Sequence, residues 1–197
     1  MASVALQMRH LYAGLGLLFA VAGCAPTPFN GDVLDPPEAA QPLELADSTG
    51  ATFSLDGERG KVVLVFFGYT HCPDICPTTL LDWKKAAAAL GQDADKVRFL
   101  FVSVDPERDT PGMAQRYAAR ISPAFTGLSG SREQIDVLLR RWKLAAFRDG
   151  VPGDTSSVYT VSHPSQVFVV DPKGRLRLLH RAGLTPAQIA SDIRALL

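Results

Sequence analysis

Apolar residues along this chain alternate between unbroken runs and helically spaced stripes. Lys61–Phe67 is a β-branched and aromatic run suited to a strand buried on both faces. Val97–Val104 is a second run of the same kind, and Ala51–Ser54 predicts a short strand ahead of both. Between the long strands, Pro77 opens a predicted helix that continues to Leu90 and stops at Gly91. Proline suits the first helical position and glycine the position just past the last. Pro111–Arg120 predicts a further helix and Ala124–Leu128 a short strand. Ser131-Arg132-Glu133-Gln134 is a capping-box pattern ahead of Ile135, Leu138, Leu139 and Trp142 at helical spacing. Val167–Val170 and Leu176–His180 flank the turn Asp171-Pro172-Lys173-Gly174 and predict a hairpin. Thr185-Pro186-Ala187-Gln188 repeats the capping box and opens the last helix. Strands joined by helices, then a hairpin and a closing helix, predict an α/β fold: a thioredoxin-like sandwich with a central mixed β-sheet flanked by helices.

The first residues follow a different pattern. Met1–His10 carries one basic side chain, Arg9, and no acid, and Leu11–Ala22 is an apolar run too short to span a bilayer comfortably. Residues 1–23 therefore read as an export signal. Val21-Ala22-Gly23-Cys24 resembles the lipobox of bacterial lipoproteins, with valine where leucine is usual, which makes Cys24 the expected site of lipid attachment. An ordinary signal peptide cut near a cysteine is the alternative. Residues 24–42 hold Pro26, Pro28, Pro36, Pro37 and Pro42 with little hydrophobic periodicity, so a proline-rich tether is predicted. Phe29, Val33 and Leu34 leave room for an arm packed on the domain instead. Residues 43–197 form the predicted domain, long enough for one well-buried core. The formal net charge is zero and there is no basic block, so nothing calls for nucleic acid.

The candidate chemistry sits between the first long strand and its helix, in Phe66-Phe67-Gly68-Tyr69-Thr70-His71-Cys72-Pro73-Asp74-Ile75-Cys76-Pro77. Open α/β sheets place their sites at this carboxyl end of a parallel strand. Two thiols so spaced can close into a disulfide, hold a soft metal, or do both. A position at the helix start favours the thiolate of Cys76 through unpaired amides and the helix dipole. His163, ahead of the predicted hairpin, offers a third ligand. Two thiolates and one imidazole suit Cu(I), also accept Cu(II), and tolerate zinc. His71 is a candidate electrostatic assistant to Cys72. Asp105–Asp109 either shapes the site or docks a partner, or is a turn that caps the helix at Pro111. His180, Trp83 and Trp142 read as structural, and His10 leaves with the signal.

These segments carry a resemblance. Phe67–Leu80, the stretch Val102-Ser103-Val104-Asp105-Pro106-Glu107-Arg108-Asp109-Thr110-Pro111 and the segment around His163 are similar to the signatures of the Sco/SenC family, in the family's order. The resemblance implies a thioredoxin-like domain at the outer, periplasmic face of the bacterial cytoplasmic membrane. It implies copper held by Cys72, Cys76 and His163, and a redox-active Cys72–Cys76 disulfide. The implied role is that of a metallochaperone: assembly of the binuclear copper centre in subunit II of cytochrome c oxidase, by delivering copper, reducing that subunit's cysteines, or both. The implied partner is that subunit or another copper or thiol protein of the envelope. The family commonly has an aspartate directly before the histidine, where this chain has Ser162, so weaker or altered copper binding is expected here. A thiol–disulfide reductase without obligatory copper is the alternative. A peroxiredoxin-like peroxidase lacks a visible activating arginine or distant resolving cysteine.

Overall fold

The computed structural model describes residues 29–150 and 158–197. In chain order the strands and helices are β1 (Asp32–Ala39), β2 (Glu44–Ala46), β3 (Thr52–Ser54), β4 (Val62–Gly68), α1 (Ile75–Leu90), β5 (Val97–Ser103) and α2 (Pro111–Ile121). They continue with β6 (Thr126–Leu128), α3 (Arg132–Arg141), β7 (Phe147–Arg148), β8 (Val161–Ser162), β9 (Val167–Val170), β10 (Arg175–His180) and α4 (Pro186–Leu196).

Every residue of β4 is buried, as its unbroken apolar run requires. It lies inside a mixed sheet ordered β1-β10-β9-β4-β5-β6. β4 and β5 run parallel, as do β5 and β6, whereas β9 runs antiparallel to β4. Consecutive β4 side chains point to opposite faces, so each face has its own aromatic cluster. Phe66 meets Trp83 edge-on at 6.3 Å, and Trp83 continues to Phe99 and Phe125. Phe67 meets Trp142 at 5.3 Å and Phe168 at 5.8 Å on the other side. The expected sandwich is present, and both tryptophans are core residues. Both predicted capping boxes close: Ser131 with Gln134 and Thr185 with Gln188 each satisfy two backbone or side-chain donors reciprocally.

Three local differences matter. The stretch expected as a tether over 24–42 contains β1, an edge strand antiparallel to β10 with an irregular register between Val33 and Glu38. Pro36 and Pro37 lie inside that irregularity, where a missing N–H breaks no ladder bond. The folded domain thus begins near residue 30 rather than 43. Helix α1 starts at Ile75, two residues ahead of the predicted Pro77, because first-turn amides have no helical partner and a proline there removes nothing. Finally, β7 and β8 pair as a small unpredicted hairpin that delivers the chain to His163. Cys24, His10 and the predicted signal lie outside the described residues.

Candidate metal centre

β4 ends at Gly68, and the chain turns through Thr70–Asp74 into α1. Cys72 stands in that turn, its N–H bonded to Tyr69 O at 3.2 Å. Cys76 is the second residue of α1 and faces inward with Leu80, Trp83, Ala86 and Leu90. It is fully buried, while Cys72 keeps 9% of its surface. Gly68 makes this packing possible: a Cβ there would lie 2.6 Å from Cys76 Sγ and 2.9 Å from the Phe101 ring. Both cysteines are free thiols.

The two sulfurs differ in ionisation, in the opposite sense to the sequence expectation for Cys76. Cys72 falls to about 4, first through the hydrogen bond from the Cys76 thiol, then through the amides of Asp74 and Cys76, against a desolvation cost. Burial pushes the Cys76 thiol up, and the neighbouring Cys72 adds to it. The helix start does stabilise a thiolate, but that thiolate is Cys72, which caps the turn from outside. Cys76 sits inside the helix, where desolvation outweighs the dipole.

His163 follows β8 and lies with its ring edge-on to Phe66 at 5.9 Å and to Tyr69 at 5.5 Å. Its Nδ1 is 2.9 Å from both Phe67 O and Pro164 O. Carbonyl oxygens only accept, so Nδ1 carries the hydrogen and Nε2 offers a lone pair. Nε2 faces Cys76 Sγ at 3.6 Å. The potential ligand atoms of Cys72, Cys76 and His163 all lie within 4.8 Å of one another. Ligand atoms held about 2.0–2.3 Å from one ion sit roughly 4 Å apart, so closure on a metal needs the widest pair to draw in by about 1 Å or less. Two sulfurs and one oriented imidazole nitrogen fit a soft, low-coordinate ion such as copper.

Ser162 does not approach that imidazole. Its Oγ donates to Asp149 Oδ1 at 2.7 Å, across the β7–β8 hairpin. Orientation of His163 rests on two backbone carbonyls, so the missing family aspartate does not leave the ring unheld. The expectation of a weakened site at this position loses its geometric basis.

Of the readings open for Asp105–Asp109, the structure favours the site-shaping one: both terminal aspartates brace the site. Asp109 is fully buried. Its carboxylate accepts from Thr70 N at 2.8 Å, Thr70 Oγ1 at 2.6 Å and Ser103 Oγ at 2.6 Å. It ties the cysteine turn to the end of β5, while Thr110, not an aspartate, caps α2. Asp105, also buried, accepts from Tyr159 Oη at 2.7 Å and Arg108 Nε at 2.6 Å. The Arg108 guanidinium lies 3.5 Å from the Tyr159 ring centre and donates to Tyr159 O. His71 is exposed, its Nδ1 3.1 Å from Thr70 Oγ1 and 3.7 Å from Asp109 Oδ1. With Pro73, Val158, Tyr159 and Thr160 it borders an open depression of about 750 Å³ beside the cysteine turn. His180 is buried with Nε2 2.9 Å from Asp192 Oδ2, the structural role expected of it. No sequence pattern marked Gly68 or the partners of Asp109; both act across long separations that periodicity does not register.

Residues 32–197 match the family model SCO1/SenC. The SCO2-like protein of Rickettsia prowazekii is 35% identical over 134 residues, 68% of this chain, a match spanning just under two thirds (65%) of that relative. Among solved structures, Bradyrhizobium japonicum ScoI with copper bound is 36% identical with a TM-score of 0.72, covering 81% of this chain and 99% of that one. Apo Sco1 from Thermus thermophilus is 38% identical with a TM-score of 0.77, covering 86% and 98%.

Proposed function

The chain belongs to the SCO1/SenC family, and from that premise we propose that it is a copper-binding chaperone of cytochrome c oxidase assembly with Cys72, Cys76 and His163 as its ligands. The observation that carries this is the tautomer of His163: Phe67 O and Pro164 O hold Nδ1–H, and Nε2 is left aimed at the sulfurs. A copper-free thiol–disulfide reductase would account for the low-pKa Cys72 but leaves that aimed nitrogen without a task. The copper-bound relative from Bradyrhizobium supports the same choice of metal. The partner is the copper-receiving subunit II of the oxidase or another thiol protein of the envelope, and the Cys72–Cys76 disulfide belongs to the oxidised, copper-free state.

Residues 1–23 act as an export signal and Cys24 carries the lipid that holds the protein at the periplasmic face of the cytoplasmic membrane. Among the described residues no helix is long and apolar enough to cross a membrane. Fractionation of cells carrying a Cys24→Ala variant tests the anchor: the variant is expected to remain an unlipidated precursor, and a water-soluble mature protein starting beyond Cys24 refutes it.

Anaerobic titration of the reduced protein tests the ligand set. One copper per chain is expected, with tight binding abolished by Cys72→Ser or Cys76→Ser. His163→Ala weakens Cu(II) far more than Cu(I), because two thiolates already satisfy the softer ion. Wild-type affinity in either serine variant sinks the assignment.

A further inference from the structure

β1 changes where an anchored domain would be held. Register runs across the sheet from Phe66 to Val167, from Val167 to His180, and from Leu179 to Asp32. The start of β1 therefore lies level with the last residues of β4, at the end of the sheet that bears the cysteine turn. Three strand spacings separate β1 from β4 in the sheet order, about 14 Å.

The chain is fastened at that point. Asp192 of α4 is buried, and its carboxylate accepts from Asn30 N at 2.8 Å, Asn30 Nδ2 at 2.8 Å and Gly31 N at 2.9 Å, alongside His180. Gly31 lies so close to the sheet that a Cβ would sit 2.6 Å from the His180 ring. Phe29 lies against Arg177, its ring centre 5.8 Å from the guanidinium carbon. Only four residues then lie between Cys24 and Phe29, and the five backbone steps that join them reach at most about 18 Å whatever their conformation. A free tether ending at residue 42 would have reached about 65 Å.

We propose that the lipid-anchored protein presents its metal-site end to the bilayer surface, with the opposite end of the sheet directed away. This rests on lipidation of Cys24 as argued above. β5 runs from the far end to the site end over seven residues, so the turn preceding it lies about 20 Å farther from the anchor level. Copper exchange would then take place in the narrow layer next to the membrane, with partners whose own site stands close to the lipid surface.

The test uses the full-length lipidated protein in phosphatidylethanolamine–phosphatidylglycerol vesicles, in a Cys72→Ser, Cys76→Ser background. A donor fluorophore is attached through Val158→Cys, beside the cysteine turn, or through Asp95→Cys, ahead of β5; both positions are exposed. Energy transfer to a headgroup-attached acceptor is expected to be several-fold stronger from position 158. A Gly/Ser insert of about twelve residues between Pro28 and Phe29 adds roughly 19 Å of root-mean-square reach and should abolish the contrast. Equal transfer from both positions, stronger transfer from 95, or a contrast that survives the insert overturns the proposal. A chain that fails to sediment with vesicles refutes the lipid anchor itself and this inference with it, an outcome the sedimentation step separates from the others.

Discussion

Removing the Asp109 carboxylate tests whether the cysteine turn is held from behind. Asp109 receives three hydrogen bonds, two from Thr70 and one from Ser103, in a site with no solvent exposure. Asp109→Ala deletes all three and leaves the Thr70 amide and the Ser103 hydroxyl buried without acceptors; the Thr70 hydroxyl can turn outward. Each orphaned buried donor costs about 1–3 kcal/mol, so the fold should lose about 2–6 kcal/mol. Asp109→Asn behaves differently. Its carbonyl can occupy the Oδ2 position that accepts from Thr70 N and Ser103 Oγ, and its amide can donate to a rotated Thr70 hydroxyl. That variant should lose about 1 kcal/mol or less, the difference between charged and neutral bonds being partly offset by easier desolvation. Urea unfolding of the reduced, metal-free protein gives the stability term. Copper titration gives the consequence for the site: displacement of the turn that carries Cys72 should weaken binding by about ten- to hundred-fold in Asp109→Ala, as for other residues that hold ligands in place. Wild-type stability in Asp109→Ala would refute the account, and so would an Asn variant as damaged as the Ala one, which would make charge rather than bonding the operative quantity.

Gly68→Ala places a methyl 2.6 Å from Cys76 Sγ; overpacking of about 1–3 kcal/mol is expected by urea unfolding, with weakened copper binding, and unchanged values of both would show that the turn adapts freely. Alkylation should separate the two thiols: with Cys72 near 4, its thiolate persists at pH 6 and reacts nearly as fast as at pH 8, whereas buried Cys76, pushed up, stays inert. The corresponding linkage has a definite sign, because a folded value below the unfolded one near 8.5 stabilises the fold above that value and is lost as pH falls toward 4. A Cys72 rate that rises tenfold per unit between pH 6 and 8 would contradict the assignment. Ser162→Asp sets a carboxylate against Asp149, the acceptor of the Ser162 hydroxyl; Cu(II) affinity should stay level or fall, and tighter binding would mean that residue 162 reaches His163 after all.

Much of this site was legible because its chemistry is local in sequence. The CxxxC turn follows a strand that no soluble surface would tolerate, and both capping boxes announce helices whose donors they satisfy. His163 was legible only through the company of the thiols and the family resemblance. What escaped reading depends on distance. Pro36 and Pro37 argue against a strand by every local rule, and only an edge position beside β10 makes them harmless. Ionisation of the thiols turns on which one the core buries, and the spacing of Cys72 and Cys76 is silent on that. Asp109 looks like a turn residue from its neighbours; its partner Thr70 is 39 residues away.

The segment Asp105–Asp109 gives the site its dimensions. One end, Asp109, fixes Thr70, two residues before Cys72; the other, Asp105, fixes Tyr159, four residues before His163. The ligands come from segments 87 residues apart, yet both are referred to one short turn at the end of β5. That turn is itself closed by Asp109 N bonded to Asp105 O at 2.9 Å, so its two carboxylates cannot separate without breaking it. A metal site built this way has its sulfur side and its nitrogen side braced through separate carboxylates, while the His163 ring itself is bonded to Phe67 O and Pro164 O. Loosening Tyr159 from Asp105 should relax the segment that delivers His163, whose ring bonds to Phe67 O and Pro164 O remain, while leaving the thiols in place; loosening Thr70 from Asp109 should act first on the cysteine turn. Tyr159→Phe removes the hydroxyl that reaches Asp105 but keeps the ring under Arg108 and the carbonyl bonds of His163, and it should therefore act in the sense of His163→Ala by a smaller factor, lowering Cu(II) affinity more than Cu(I). Asp109→Ala should instead lower both. If the two variants change the two oxidation states in the same ratio, the halves of the site are mechanically joined by something other than this turn.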